Sequence, residues 1–324
     1  MSDTPTPRAR VEPSGSAAVT ASALVAPSTL TDDDYPALFV MADEASKRGQ
    51  ERYVLLSRLE LVFVILAAGL GALISFLAFA GSNVAGTRAV AAVSGGLLIG
   101  AALVRAVSRS TQPTAKWFAG RAVAESAKSL AWRYMAHVEP FNVSTSQADV
   151  LFVDALREVL GERTLGTPTP RQRSSGLQQI TPPMRQIRSL SFHQRRKAYE
   201  ELRLGDQLNW YTKKSATLRR SNDRWFALGI AFEILALGSA IVLIAFPTGP
   251  NLIGIFAAAT AAATTFSRLR GDSEVADRYA LAAQELSMIR GRLQASNEHT
   301  FSDAIKDAEG AISREHTMWA AKRS

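Results

Sequence analysis

Four apolar runs, grouped in two close pairs, constrain this chain more than any other feature of its sequence. The first is Leu61 to Ala80, LVFVILAAGLGALISFLAFA, and the second is Ala89 to Val104, with Arg88 just ahead of it. The third, Trp225 to Phe246, holds a single acid, Glu233, and the fourth runs from Leu252 to Phe266. An α-helix needs about 20 apolar residues to cross a hydrocarbon core about 30 Å thick. Runs one and three have that length, and runs two and four reach it with their uncharged flanks. The predicted spans are therefore residues 61–80, 86–104, 225–246 and 250–267. A core helix of a soluble bundle is apolar along one stripe, whereas runs one and three are apolar all round. Residues 81–88 join the first pair and 247–251, PTGPN, the second. Their Gly, Pro and Asn stop helices and make turns, and so short a connection forces an antiparallel pair. The expected fold is an all-α membrane protein: two transmembrane helical hairpins, four spans, with long cytoplasmic helical extensions.

Charge sets the orientation. Lys plus Arg outnumber Asp plus Glu by 37 to 29, a net charge of +8. The surplus gathers at one end of the runs: Arg52 and Arg58 before the first, Arg105 and Arg109 after the second, Lys213, Lys214, Arg219, Arg220 and Arg224 before the third, and Arg268 and Arg270 after the fourth. Between them the two turns hold only Arg88. The positive-inside rule then puts both turns outside and everything else, termini included, in the cytoplasm of a multi-pass cell-membrane protein. Topogenic charge accounts for the basic balance without nucleic acid.

The polar segments divide the chain. Residues 1–30 are rich in Pro, Ser and Ala and read as a disordered tail, without the Leu-rich centre of a secretory signal. A first two-span unit is expected over 31–160, a Pro-rich linker over 161–183, a second two-span unit over 184–296 and a helical tail over 297–324. Helices are expected over Tyr35–Glu60, running straight into the membrane, over Thr114–His137, where Pro113 restarts the chain, and over Ser146–Leu160. A long charged helix, Ser191–Arg224, leads into run three; its acids Glu200, Glu201 and Asp206 are placed to pair with bases one turn away on a solvated face. The order of basic helix, span, turn, span and polar helix thus occurs twice, offset by about 165 residues. Each unit has an even number of spans, so both insert the same way up, unlike an inverted repeat.

The motifs Arg52-Tyr53, Leu59-Glu60-Leu61 and Gln207-Leu-Asn-Trp-Tyr211 sit in two segments, Tyr35–Leu73 and Ile180–Leu237. Each segment resembles the start of a SLATT domain, the two-transmembrane effector domain found beside SMODS and SLOG domains, and the resemblance extends from residue 35 to about 295. It implies a membrane effector of bacterial conflict systems, which a cytosolic nucleotide-signalling partner triggers to permeabilise the membrane.

Chemical signatures are sparse. There is no cysteine, which excludes disulfides and thiolate metal sites. His137, His193, His299 and His316 have no metal-ligand spacing, and neither a phosphate-binding Gly-rich loop nor a G-x-S-x-G elbow occurs. No enzyme and no cofactor are expected. Glu233 lies about 12 Å into its span, where a carboxylate is costly unless paired, neutral or wet. Its two readings are a pore or gating acid and a hydrogen bond to Thr264 or Thr265. Residues 257–265 are entirely Ala and Thr. Ala258 and Ala262 suit close helix contact, while Thr260 and Thr264, one turn apart, suit a pore wall. Gly69, Gly71, Gly95, Gly96 and Gly100 also suit close packing. The expected partners are the lipid bilayer and further copies of the chain. A pore-forming or membrane-permeabilising oligomer is the leading reading, with a non-pore anchor or scaffold and a small transporter as rivals.

Overall fold

The computed structural model describes residues 27–79, 84–161, 178–247 and 252–321. The expected disordered tail up to residue 26, most of the expected linker (162–177), the inner residues of both turns (80–83 and 248–251) and residues 322–324 lie outside the described residues. Among the described residues every regular element is helical.

The chain opens with a 3-10 turn, Asp32–Asp34, inside a capping box made by Thr31 and Asp34. Helix α1, Ala37–Phe79, then runs 43 residues without a break, as its lack of proline permits. It returns antiparallel through α2, Val84–Thr111, and α3, Pro113–Ala136. Only Gln112 interrupts this return, in a left-handed conformation at φ 43°. Pro113 is the first residue of α3, where its missing N–H leaves no bond unmade. Helix α4, Thr145–Gly161, packs on α3.

Pro182 and Pro183, which the sequence places in the linker, instead open helix α5, Pro182–Ser189. The Thr181 hydroxyl caps this helix by accepting a hydrogen bond from the Met184 N–H. The second hairpin enters through α6, Phe192–Tyr199, a π-helical turn, Glu200–Gly205, and α7, Asp206–Ala245, one helical run of 54 residues. Helix α8, Ile253–Arg270, returns along α7. Gly271, at φ 60°, turns the chain into α9, Asp272–Gln294, and α10, Glu298–Ala321, folds back on α9 and α3.

The two hairpins are thus long stilts with different ends. At one end α1, α3, α4, α5, α6, the start of α7, α9 and α10 enclose a shared core in which Trp132, Tyr134, Phe141, Phe152, Tyr199 and Tyr211 are fully buried. We call this end the head. At the other end apolar side chains point outward: Ile65 and Leu66 on α1, Ile99 and Leu103 on α2, Leu237 and Ile244 on α7. Among the described residues three helical runs are long and apolar enough to cross a membrane: Ala37–Gly71, Val84–Ala136 and Phe192–Ala245. The fourth apolar run is α8, with 18 residues and with Arg268 and Arg270 in its last turn. Helix α8 also touches α1, so the hairpins stand side by side within one chain.

Two glycines hold the head together. A Cβ on Gly49 of α1 would stand 2.7 Å from the Trp117 backbone nitrogen, and one on Gly120 of α3 would stand 2.9 Å from the Ala42 carbonyl. The backbones of α1 and α3 meet there because neither residue has a side chain. The Ser46 hydroxyl bridges the same contact by donating to the Trp117 carbonyl (3.1 Å).

Candidate functional site

Two regions carry the unusual chemistry: the outer halves of the hairpins and a buried charged junction in the head.

In the hairpins, Gly229 of α7 faces α8. A Cβ there would meet the Thr264 hydroxyl oxygen at 3.8 Å, which fixes the antiparallel register. One turn farther from the head, Glu233 on α7 and Thr260 on α8 stand at matching depth. Glu233 is exposed, and neither Thr264 nor Thr265 bonds it; it has no hydrogen-bond or ion-pair partner among the described residues. Thr260 presents a buried hydroxyl with no hydrogen-bond partner among the described residues. Among the small residues of α8, Ala263 is the buried one, while Ala258 is exposed and Ala262 half-buried. Gly100 of α2 packs on the Phe63 ring, 3.1 Å from where a Cβ would stand, whereas the space beside Gly69, Gly71, Gly95 and Gly96 is open in the single chain. Across the first hairpin, the Ser94 hydroxyl donates to the Ala67 carbonyl (3.0 Å).

The basic residues stand at the level where head and outer halves meet. Arg52, Arg58, Arg105, Arg109, Lys213, Lys214, Arg219, Arg220, Arg224, Arg268 and Arg270 are all exposed. Three are paired: Arg105 with Glu60 (2.6 Å), Arg219 with Asp277 (2.9 Å) and Arg270 with Asp272 (2.7 Å). Trp225 stacks edge-on against Phe266 at the same level, the position where aromatic residues mark a membrane interface.

The junction in the head centres on Arg203, in the π-turn. Its side chain is 1% exposed and forks onto Glu309 of α10, itself 5% exposed: Nε donates to Oε1 at 3.0 Å and Nη2 to Oε2 at 2.7 Å. Tyr199 donates its hydroxyl to Glu309 Oε1 (2.9 Å), and Ser129 of α3 donates to Oε2. Glu125 of α3 lies 4.0 Å from the guanidinium. Arg203 Nη1 has no hydrogen-bond partner among the described residues. The next residues hold the π-turn from the other side: Glu200 accepts from Arg290 of α9 (3.0 Å).

Burial works against the Arg203 charge, and Glu309 more than offsets it, so the guanidinium stays ionised well above its ordinary range. Nearby, burial pushes the Tyr35 hydroxyl up to about 12; it accepts a hydrogen bond from the Trp132 indole (3.2 Å). A bidentate pair is strong, but the desolvation of both ions absorbs most of the gain. Such a pair specifies one arrangement more than it adds stability.

The sequence reading missed this junction. From the sequence alone the charged run before α7 reads as a solvated face and residues 297–324 as a helical tail. One signal was present: Arg203 stands four residues after Tyr199 and eight before Tyr211, both fully buried, and so lies on the inward stripe.

A helical hairpin with an apolar outer half, repeated once beneath a shared helical head, defines a tandem helical-hairpin protein with membrane-compatible outer halves. A family model described as SMODS and SLOG-associating 2TM effector domain 3 matches residues 36–196, and one described as SMODS and SLOG-associating 2TM effector domain 1 matches residues 199–319. The chain belongs to the SLATT family and carries two of its domains in tandem. No curated protein and no solved structure matches it. The boundary between the two matches falls just ahead of the π-turn. Glu125 and Ser129 therefore belong to the first domain, and Arg203 and Glu309 to the second.

Proposed function

We propose that this protein is a non-enzymatic membrane effector that inserts both hairpins as four spans, assembles into an oligomer and opens a pore lined by α7. The observation that carries the reading is Glu233, an exposed carboxylate without a partner, set among outward apolar side chains such as Leu237, 65% exposed, and Ile244, 81% exposed. An ionisable residue facing lipid at mid-span costs about 2.5–3.5 kcal/mol or more. Several copies placing α7 around a wet lumen remove that cost and leave a ring of carboxylates facing water. The unoccupied space beside Gly69, Gly71, Gly95 and Gly96 supports the same arrangement, because small residues permit close approach of helices from neighbouring subunits. Head and termini lie in the cytoplasm, as the basic band supports. The family's printed association with SMODS and SLOG domains supports a cytosolic nucleotide-signalling partner as the trigger.

Inducible expression in bacteria, alone and with candidate trigger proteins, tests this with a membrane-potential dye. The triggered protein should collapse the potential, and Glu233→Gln should slow the collapse about tenfold, the loss of one charge-based stabilisation of the permeating ion. Intact potential under every trigger, together with a strict monomer in detergent, would overturn the pore. A second reading is a membrane anchor that recruits a cytosolic protein through the head. It is favoured by Leu281 and Met288, exposed one heptad apart on α9. It predicts partner binding that Met288→Glu abolishes, with no change in potential.

A further inference from the structure

The π-turn stands where the head hands over to α7. A π-turn closes i to i+5 bonds, so it holds one residue more than the α-helical turn it replaces. Relaxing it to α-helix with the residue count kept turns everything downstream by about 100° and moves it about 1.5 Å along the axis. Here the turn is held from three helices: Glu309 of α10 and Glu125 of α3 through Arg203, and Arg290 of α9 through Glu200. The strongest of these contacts, Arg203 to Glu309, lies within the second domain, and Glu125 and Ser129 reach it from the first. Glu309 gathers Arg203 and Tyr199 from its own domain and Ser129 from the other. Below the turn, α7 continues as one helix to Ala245, so a rotation at Arg203 reaches Gly229 and Glu233 undiminished.

We propose that the Arg203–Glu309 pair is a latch on this turn. While it is closed, α7 keeps Gly229 against Thr264. Withdrawal of Glu309 with α10 relaxes the turn, rotates the outer half of α7 and moves Glu233 to a new face. The latch rests on the pore reading only for its consequence; the rotation itself is measurable without ion flow.

The absence of cysteine makes the measurement direct. Gly229→Cys and Thr264→Cys are introduced together in the full chain, and the initial rate of disulfide formation in native membranes is followed with a brief oxidant pulse. A Cβ at position 229 stands 3.8 Å from the Thr264 side-chain oxygen, the place that the sulfur of Thr264→Cys would take, so rapid cross-linking is expected with the latch intact. Glu309→Gln, which removes the charge and keeps the shape, should slow it by roughly tenfold or more, and Tyr199→Phe, which removes one hydrogen bond, by about fivefold. A folded Glu309→Gln protein that cross-links at the parent rate overturns the latch. If Glu309→Gln does not reach the membrane, Tyr199→Phe decides, and an unchanged rate overturns the latch equally. Slowed cross-linking without loss of membrane potential supports the latch and counts against the pore. Leak with unchanged cross-linking does the reverse.

Discussion

The two ends of α7 obey opposite rules. At the head Tyr211 and Ser215 are buried, and the buried carboxylate of Glu309 is held by Arg203, Tyr199 and Ser129. In the outer half Ile234, Leu237 and Ile241 face outward, and Glu233 has no partner among the described residues. Helix α1 repeats the contrast, with Leu38, Phe39 and Ala42 inside at one end and Ile65 and Leu66 outside at the other. One helix can follow both rules because its backbone satisfies itself along its whole length, and only the surroundings of its side chains change. In the head the surroundings are other helices, and a change of one methyl group or one charge is felt there. In the outer half they are fluid, and the same change should be tolerated.

That contrast can be broken by substitution, with thermal unfolding in detergent as the measurement. Arg203→Met leaves Glu309 buried without its counter-ion and should destabilise by about 3–5 kcal/mol. Gly120→Ala sets a methyl group 2.9 Å from the backbone of α1, which cannot give way as a side chain would, and should lose about 1–3 kcal/mol. Ser94→Ala removes the hydroxyl donated to Ala67 across the first hairpin and should lose only about 0.6 kcal/mol, the usual size of such a bond between membrane helices. In the monomer, where no second subunit covers it, Gly95→Ala adds a methyl group to open space and should stay within about 0.5 kcal/mol of the parent. A Gly95→Ala loss as large as that of Gly120→Ala would mean that the outer half packs as tightly as the head.

The legible parts of this fold are those that local pattern dictates. The continuous run from Ala37 into the first apolar stretch, the restart at Pro113 and the pairing of apolar runs all follow from hydropathy, proline and turn residues. What stayed hidden depends on distant segments. Gly49 and Gly120 look like ordinary helix glycines until α1 and α3 are laid together, and the membrane glycines drew attention instead because they sit in apolar sequence. Pro182 and Pro183 read as linker because helix starts and linkers share prolines, and Thr181 is what separates the two. Arg203 lay in a run dense in both charges, and its burial depends on Glu309, 106 residues away. By contrast Asp307 of the same helix pairs with Arg292 at an exposed surface (2.9 Å).

The central claim is that the outer halves of both hairpins lie in the bilayer with the head on the cytoplasmic side. Single cysteines at Val84, at Pro247 and at Val150 in the otherwise cysteine-free chain test it with a membrane-impermeant maleimide on intact cells. The account predicts labelling of Val84→Cys and Pro247→Cys, at the far ends of the two hairpins, and of Val150→Cys, on the head, only after the cells are opened. Labelling of Val150→Cys on intact cells, or recovery of the whole chain in the soluble fraction, would contradict it.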